Sequence, residues 1–114
     1  MSRLIGLGMA CMLAGCASAP PTIYSWGSYE ELIYTSYAAP ESMQAQTQVE
    51  ALERDYQQAR SDNKRMPPGW HAHLGSLYFQ LGKLDLAQQS FLTEKADFPE
   101  SAVLMDRMLA NIRK

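Results

Sequence analysis

Apolar residues recur along this chain at intervals of three and four, and proline, glycine and short polar runs divide the recurrence into segments. Tyr29, Leu32, Ile33 and Tyr37 form the first stripe. It opens at Ser28-Tyr29-Glu30-Glu31, the order of a capping box, in which the serine side chain accepts from the amide three residues on and Glu31 reaches back to the Ser28 amide. Ala38-Ala39-Pro40 stops it, because a residue before proline is pushed out of the helical region, and Pro40-Glu41-Ser42 can begin the next helix. From about Ser42 to Asp62 there is no glycine or proline, and Val49, Leu52, Tyr56 and Ala59 share one face, which predicts a long amphipathic helix.

Ser61-Asp62-Asn63 and Pro67-Pro68-Gly69 predict a stop and a turn. Trp70, His73, Leu74, Leu77, Tyr78 and Leu81 then form another stripe, closed by Gly82. The next helix turns Leu84, Ala87, Phe91, Leu92 and Phe98 inward, carries Asp85 at its positive end and stops before Pro99. Leu104, Met105, Met108, Leu109 and Ile112 form the last face, with Arg107, Arg113 and Lys114 suited to its negative end. Nothing reads as a β-hairpin. The pattern predicts an all-α domain of about four to five helices over residues 28–114.

The segment at about 68–101 resembles a tetratricopeptide repeat, and the residues that carry the resemblance are Leu74-Gly75, Tyr78, Gly82, Ala87, Phe91 and Pro99. The physical logic is steric. Gly75 and Ala87 let two helices approach, Leu74, Tyr78 and Phe91 fill the seam, and Gly82 takes a turn conformation that a side chain disfavours. Two positions depart from the pattern: His71 stands where the repeat has tryptophan, with Trp70 one residue early, and Glu94 stands where it has a small residue. The final helix has Leu109 where a following repeat needs glycine, so it reads as a cap. One repeat cannot bury its own faces, so the helices of 28–62 are expected to supply the missing wall.

Residues 1–15 have another character. One early base, Arg3, precedes an apolar run and then small residues, the layout of a cleaved secretory signal; the run is shorter than the about 20 apolar residues that span a bilayer. Leu13-Ala14-Gly15-Cys16 matches the lipobox of bacterial lipoproteins. That resemblance implies that Cys16 becomes the mature N-terminus and carries covalent diacylglycerol and an N-acyl chain, the only non-protein group expected. Ala17, where an aspartate would favour inner-membrane retention, implies the outer membrane, periplasmic face. Residues 16–27, rich in alanine, serine, proline and threonine at their start, read as an extended lipidated tether.

Removing the first 15 of 114 residues leaves 99, enough for one small core. Cys11 leaves with the signal, so Cys16 remains and no internal disulfide can form. Losing Arg3 from ten Lys and Arg leaves nine against twelve acids, a balance of −3 whose field has the wrong sign for nucleic acid.

No residue set reads as catalytic, metal-binding or a small-molecule substrate site. His71 and His73, two positions apart on a helix, point about 200° from each other and cannot share a metal. Glu30 and Glu31 likewise diverge, and neither a nucleophile elbow nor a phosphate-cradling glycine loop is present. Arg60, Lys64 and Arg65 cluster at a helix end, where cations meet terminal carbonyls or lipid headgroups. Tyr24, Trp26, Tyr29, Tyr34 and Tyr37 can pack on the domain, sit in a membrane interface or form a partner surface. Glu30, Glu31 and the lack of any Lys or Arg between Arg3 and Arg54 favour a protein over lipid as their partner.

Taken whole, the chain resembles an uncharacterised family of short Gram-negative envelope lipoproteins. The lipobox, the stretch Tyr24-Ser25-Trp26-Gly27-Ser28-Tyr29-Glu30, the segment from Pro67 to Gly75 and the ending from Glu94 to Ser101 carry the resemblance. It implies no activity, and the family's gene neighbourhood implies assembly with other lipoproteins, including ones similar to the curli secretion channel. The expectation is a lipid-anchored, non-enzymatic interaction or assembly module acting on another envelope protein. The alternatives are a regulator of a peptidoglycan synthase, against which a tether of about 40 Å at full stretch argues, and a structural peripheral lipoprotein whose rings bind lipid.

Overall fold

The computed structural model describes residues 23–39 and 43–114. The proposed signal, the lipobox residues Leu13, Ala14, Gly15 and Cys16, and the break at Pro40 lie outside the described residues. Within them the chain forms α1 (Tyr29–Ala38), α2 (Ala45–Ser61), α3 (Trp70–Gln80), α4 (Leu84–Asp97) and α5 (Ala102–Ile112), with a 3-10 turn at Pro99–Ser101. No strand occurs among them, only an isolated parallel bridge between Tyr24 and Arg65. The fold is all-α.

α3 and α4 form the central hairpin. Gly82 takes φ +73° in the turn between them, and the Lys83 amide donates to the Tyr78 carbonyl at 2.9 Å, which closes the last turn of α3. A Cβ at Gly75 would stand 2.6 Å from the Phe91 ring, so the bare backbone of α3 is what lets that ring lie against it. Ala87 is fully buried one turn before Phe91, and Leu74 and Tyr78 are buried along the same seam. α2 covers a second side of α3 through Val49, Leu52 and Ala59, while α5 closes α4 from outside with buried Met105 and half-buried Met108, Leu109 and Ile112. Lys95 and Asp106 join α4 to α5 at 2.7 Å, an exposed pair worth little beside that packing.

Several local expectations fail for identifiable reasons. The capping box is not made: Ser28 has helical backbone angles and no side-chain bond to its own helix, because its amide donates instead to Asp55 Oδ2 of α2 at 2.7 Å. α2 begins at Ala45 rather than near Ser42. Leu84, Leu92 and Leu104 are exposed, not inward. Leu92 and Leu104 each lie one position, about 100° of helix rotation, from the residue that is buried, Phe91 and Met105. Leu84 stands at the turn end of the hairpin, as the first residue of α4, and is 41% exposed. Tyr37 is 86% exposed, since α1 buries only Leu32.

Gly75→Ala is therefore expected to destabilise the domain by about 1–3 kcal/mol through overpacking. Combined with Phe91→Leu, which withdraws the ring from the new methyl, it should cost less than the sum of the two single losses, which urea denaturation would measure. A Gly75→Ala protein as stable as the parent would show that the seam is not close-packed.

Candidate functional site

α2 and α4 stand on either side of α3 and leave a groove of about 710 Å³ between them. Its floor is α3, through Trp70, His71, Leu74 and Tyr78; α2 contributes Glu53, Arg54 and Tyr56, and α4 contributes Leu86, Gln89 and Thr93. The floor residues face this way because α3 is buried on so much of its circumference that its aromatic side chains fill the space between the flanking helices. Tyr56 stacks on Trp70 with ring centroids 5.7 Å apart, and the Tyr78 hydroxyl donates to Glu53 Oε1 at 2.7 Å. Burial first, then the bond to Glu53 and its charge, push the Tyr78 phenol above its ordinary range and keep it a donor. The groove thus joins an aromatic bed to a rim of amide, hydroxyl and carboxylate groups, the mix that apolar anchors flanked by polar contacts require.

The repeat residues lie mostly below this surface. Gly75, Ala87 and Phe91 form the seam, Gly82 makes the turn, and Pro99 opens the 3-10 turn after α4. Leu74 and Tyr78 serve both seam and groove. The aromatic group divides. Tyr24 meets Phe98 edge-on at 6.2 Å, Trp26 stacks on Tyr29 at 6.4 Å, and Tyr29 lies against His73 at 6.1 Å, so these three pack on the domain. Tyr34 and Tyr37, 73% and 86% exposed, stand apart on α1.

The two histidines occupy separate places, as their spacing requires. His71 is buried beneath the groove with Nε2 4.0 Å from Asp97, and His73 Nε2 lies 3.3 Å from Gln48 Oε1 on the side facing α1. Burial lowers both imidazoles below their ordinary range, with Asp97 opposing part of that effect at His71. Among the described residues no three of His, Cys, Asp and Glu converge as metal ligands would, and no helix is long and apolar enough to cross a membrane.

Two residues matter here that local sequence patterns do not reveal. Glu94, 2% exposed, receives the Gly69 amide on Oε1 at 2.6 Å, so a carboxylate of α4 caps the start of α3. Its Oε2 and the indole Nε1 of Trp70 are both buried and have no hydrogen-bond partner among the described residues. The signal for Glu94 was its very departure from the repeat, a charge at a position that should be small. Asp55 plays the same part for α1, and Gly27 leaves room for it, since a Cβ there would stand 2.6 Å from the Asp55 carboxylate. Nothing near Asp55 in sequence announces a partner 27 residues away.

A family model described as a domain of unknown function (DUF4810) matches residues 23–108, well over half the chain, and the chain belongs to that family. No curated protein and no solved structure matches it.

Glu94→Ala, which leaves the Gly69 amide without its acceptor, should cost about 1–3 kcal/mol in urea denaturation, and Glu94→Gln, which keeps an acceptor, distinctly less. The lowered imidazoles set a pH dependence of known sign. Above about pH 6.5 both folded and unfolded histidines are neutral, whereas below it the unfolded chain takes up protons that the folded chain resists. The melting temperature is accordingly expected to fall from pH 7.5 to pH 5.5, and to fall less in a His71→Gln, His73→Gln protein. An equal fall in both would remove the histidines as its cause.

Proposed function

We propose that this member of the family is an envelope lipoprotein whose groove over α3 docks an amphipathic segment of a neighbouring envelope lipoprotein, without catalysing a reaction. The observation that carries the proposal is the groove itself: a bed of half-buried Tyr56 with buried Leu74 and Tyr78 beneath it, and Leu86 40% exposed on its rim. Such a surface suits apolar side chains presented at helical or extended spacing, with the rim carboxylates and amides setting register. The resemblance of α3 and α4 to a tetratricopeptide repeat supports the same use, since helical repeats commonly bind through such grooves. The neighbouring lipoprotein, including one similar to the curli secretion channel, is the partner the family resemblance implies.

The lipobox-like Leu13-Ala14-Gly15-Cys16 supports the second half of the proposal, attachment at the periplasmic face of the outer membrane through Cys16. Several acyl chains there would make the anchor effectively permanent. A short connection would then hold the groove among other anchored proteins and away from partners deep in the periplasm.

A photo-crosslinker at Gln89, on the groove rim, should form a discrete adduct with one envelope protein in intact cells. The same group at Gln58, exposed on α2 and outside the groove, should not. Leu86→Asp should reduce the Gln89 adduct about tenfold or more without changing the amount of folded protein. Equal adducts at both positions, or none at Gln89, would overturn docking in the groove. Separately, palmitate should label the parent chain and not a Cys16→Ser protein, and labelling of both would overturn the anchor.

A further inference from the structure

We propose that the edge where α2 ends, carrying Arg60, Lys64 and Arg65, is the face the domain turns to a bilayer, where these cations contact anionic phospholipid headgroups. The three lie exposed within six residues, and among the described residues none of them forms an ion pair. The Arg60 guanidinium lies 5.9 Å over the Tyr56 ring and that of Arg65 5.7 Å over Phe98, so aromatic faces hold them in place without neutralising them. The neighbouring acids are already engaged: Asp62, between Arg60 and Lys64 in sequence, accepts from Gln58 at 3.2 Å, and Asp97, next to the Phe98 that Arg65 overlies, faces His71 at 4.0 Å.

The path of the chain selects a membrane as what meets this edge. The Ser25 amide donates to the Arg65 carbonyl at 2.7 Å, and Tyr24 bridges to the same residue, so the chain toward residue 22 leaves from beside the cationic cluster. Only seven residues lie between Cys16 and Tyr24, eight steps of the chain and a reach of at most about 28 Å. Ile23 and Trp26, 75% and 37% exposed, flank the exit and suit the headgroup region. The turn at Gly82 stands at the far end of α3, about 16 Å along the helix axis and so beyond the range over which headgroup charge acts. The domain would therefore stand on its α2 end, with α3 and the groove rising away from the lipid.

This orientation rests on Cys16 as the anchor, whereas the headgroup contact does not, and one experiment separates them. The full chain is mixed with vesicles of phosphatidylcholine alone or with about one third phosphatidylglycerol, floated, and read by quenching of a bio-orthogonal dye at position 61 or 83 by a headgroup-attached quencher. Flotation with both compositions is expected, with quenching at position 61 at least twofold stronger on anionic vesicles and no such change at 83. Half-molar salt, or Arg60→Gln, Lys64→Gln and Arg65→Gln together, should erase the difference, with circular dichroism confirming the fold. Flotation with both but no difference at 61, or the same difference at 83, overturns the headgroup contact and leaves the anchor standing. Flotation with anionic vesicles alone supports the contact and overturns the anchor, and flotation with neither overturns both.

Discussion

The close approach of α3 to α4 at Gly75 governs the rest of the molecule. With the Phe91 ring occupying the space a side chain would fill, the two helices lie near enough for Ala87 to be wholly enclosed and for Leu74 and Tyr78 to reach across the top of the seam. A hairpin this tight still leaves apolar surface on both outer sides, and the chain uses α2 for one and α5 for the other. The groove is the remainder of that arrangement. It exists because α2 and α4 flank α3 without meeting over it, so a depression remains above the buried Trp70 and His71 at the start of α3.

Helix ends are held by a different device. α1 and α3 both begin without a cap from their own side chains, and in each case a carboxylate from another helix supplies the acceptor: Asp55 to Ser28, Glu94 to Gly69. These bonds stabilise each helix and also specify where it lies, since an acceptor on α2 or α4 works only if the helix starts at that point. Glu94 has the larger consequence, because its burial next to Trp70 ties the base of the groove to the hairpin that supports it.

What the sequence discloses follows the range of the interactions concerned. Periodicity of three and four marks each of the five helices among the described residues, and the glycines and alanine of the hairpin mark its seam, because both signals lie within a few residues of their cause. Leu92 and Leu104 lie one position from the buried Phe91 and Met105, a distinction that only the neighbouring helix can make, and Leu84 is exposed because it sits at the turn between α3 and α4. The Ser28 capping box failed because a stronger acceptor arrived from 27 residues away. Of the groove, Leu74 and Tyr78 were legible as packing residues, while Glu53, Gln89 and the rim of α2 were not, since polar residues on an amphipathic helix look alike whether they face a groove or open water. The aromatic run from Tyr24 to Tyr37 had three readings in sequence, and its halves divide: Tyr24, Trp26 and Tyr29 pack on the domain, and Tyr34 and Tyr37 do not.

The attachment of Tyr24 and Ser25 to Arg65 has a mechanical meaning. Tension drawn through the chain from residue 22 would meet the Ser25–Arg65 backbone bond together with the Tyr24 ring against Phe98, and then the Asp55 carboxylate holding Ser28. The load would therefore be delivered to the α2–α3 connection and the end of α4, and shared between elements far apart in sequence, before it reached α1.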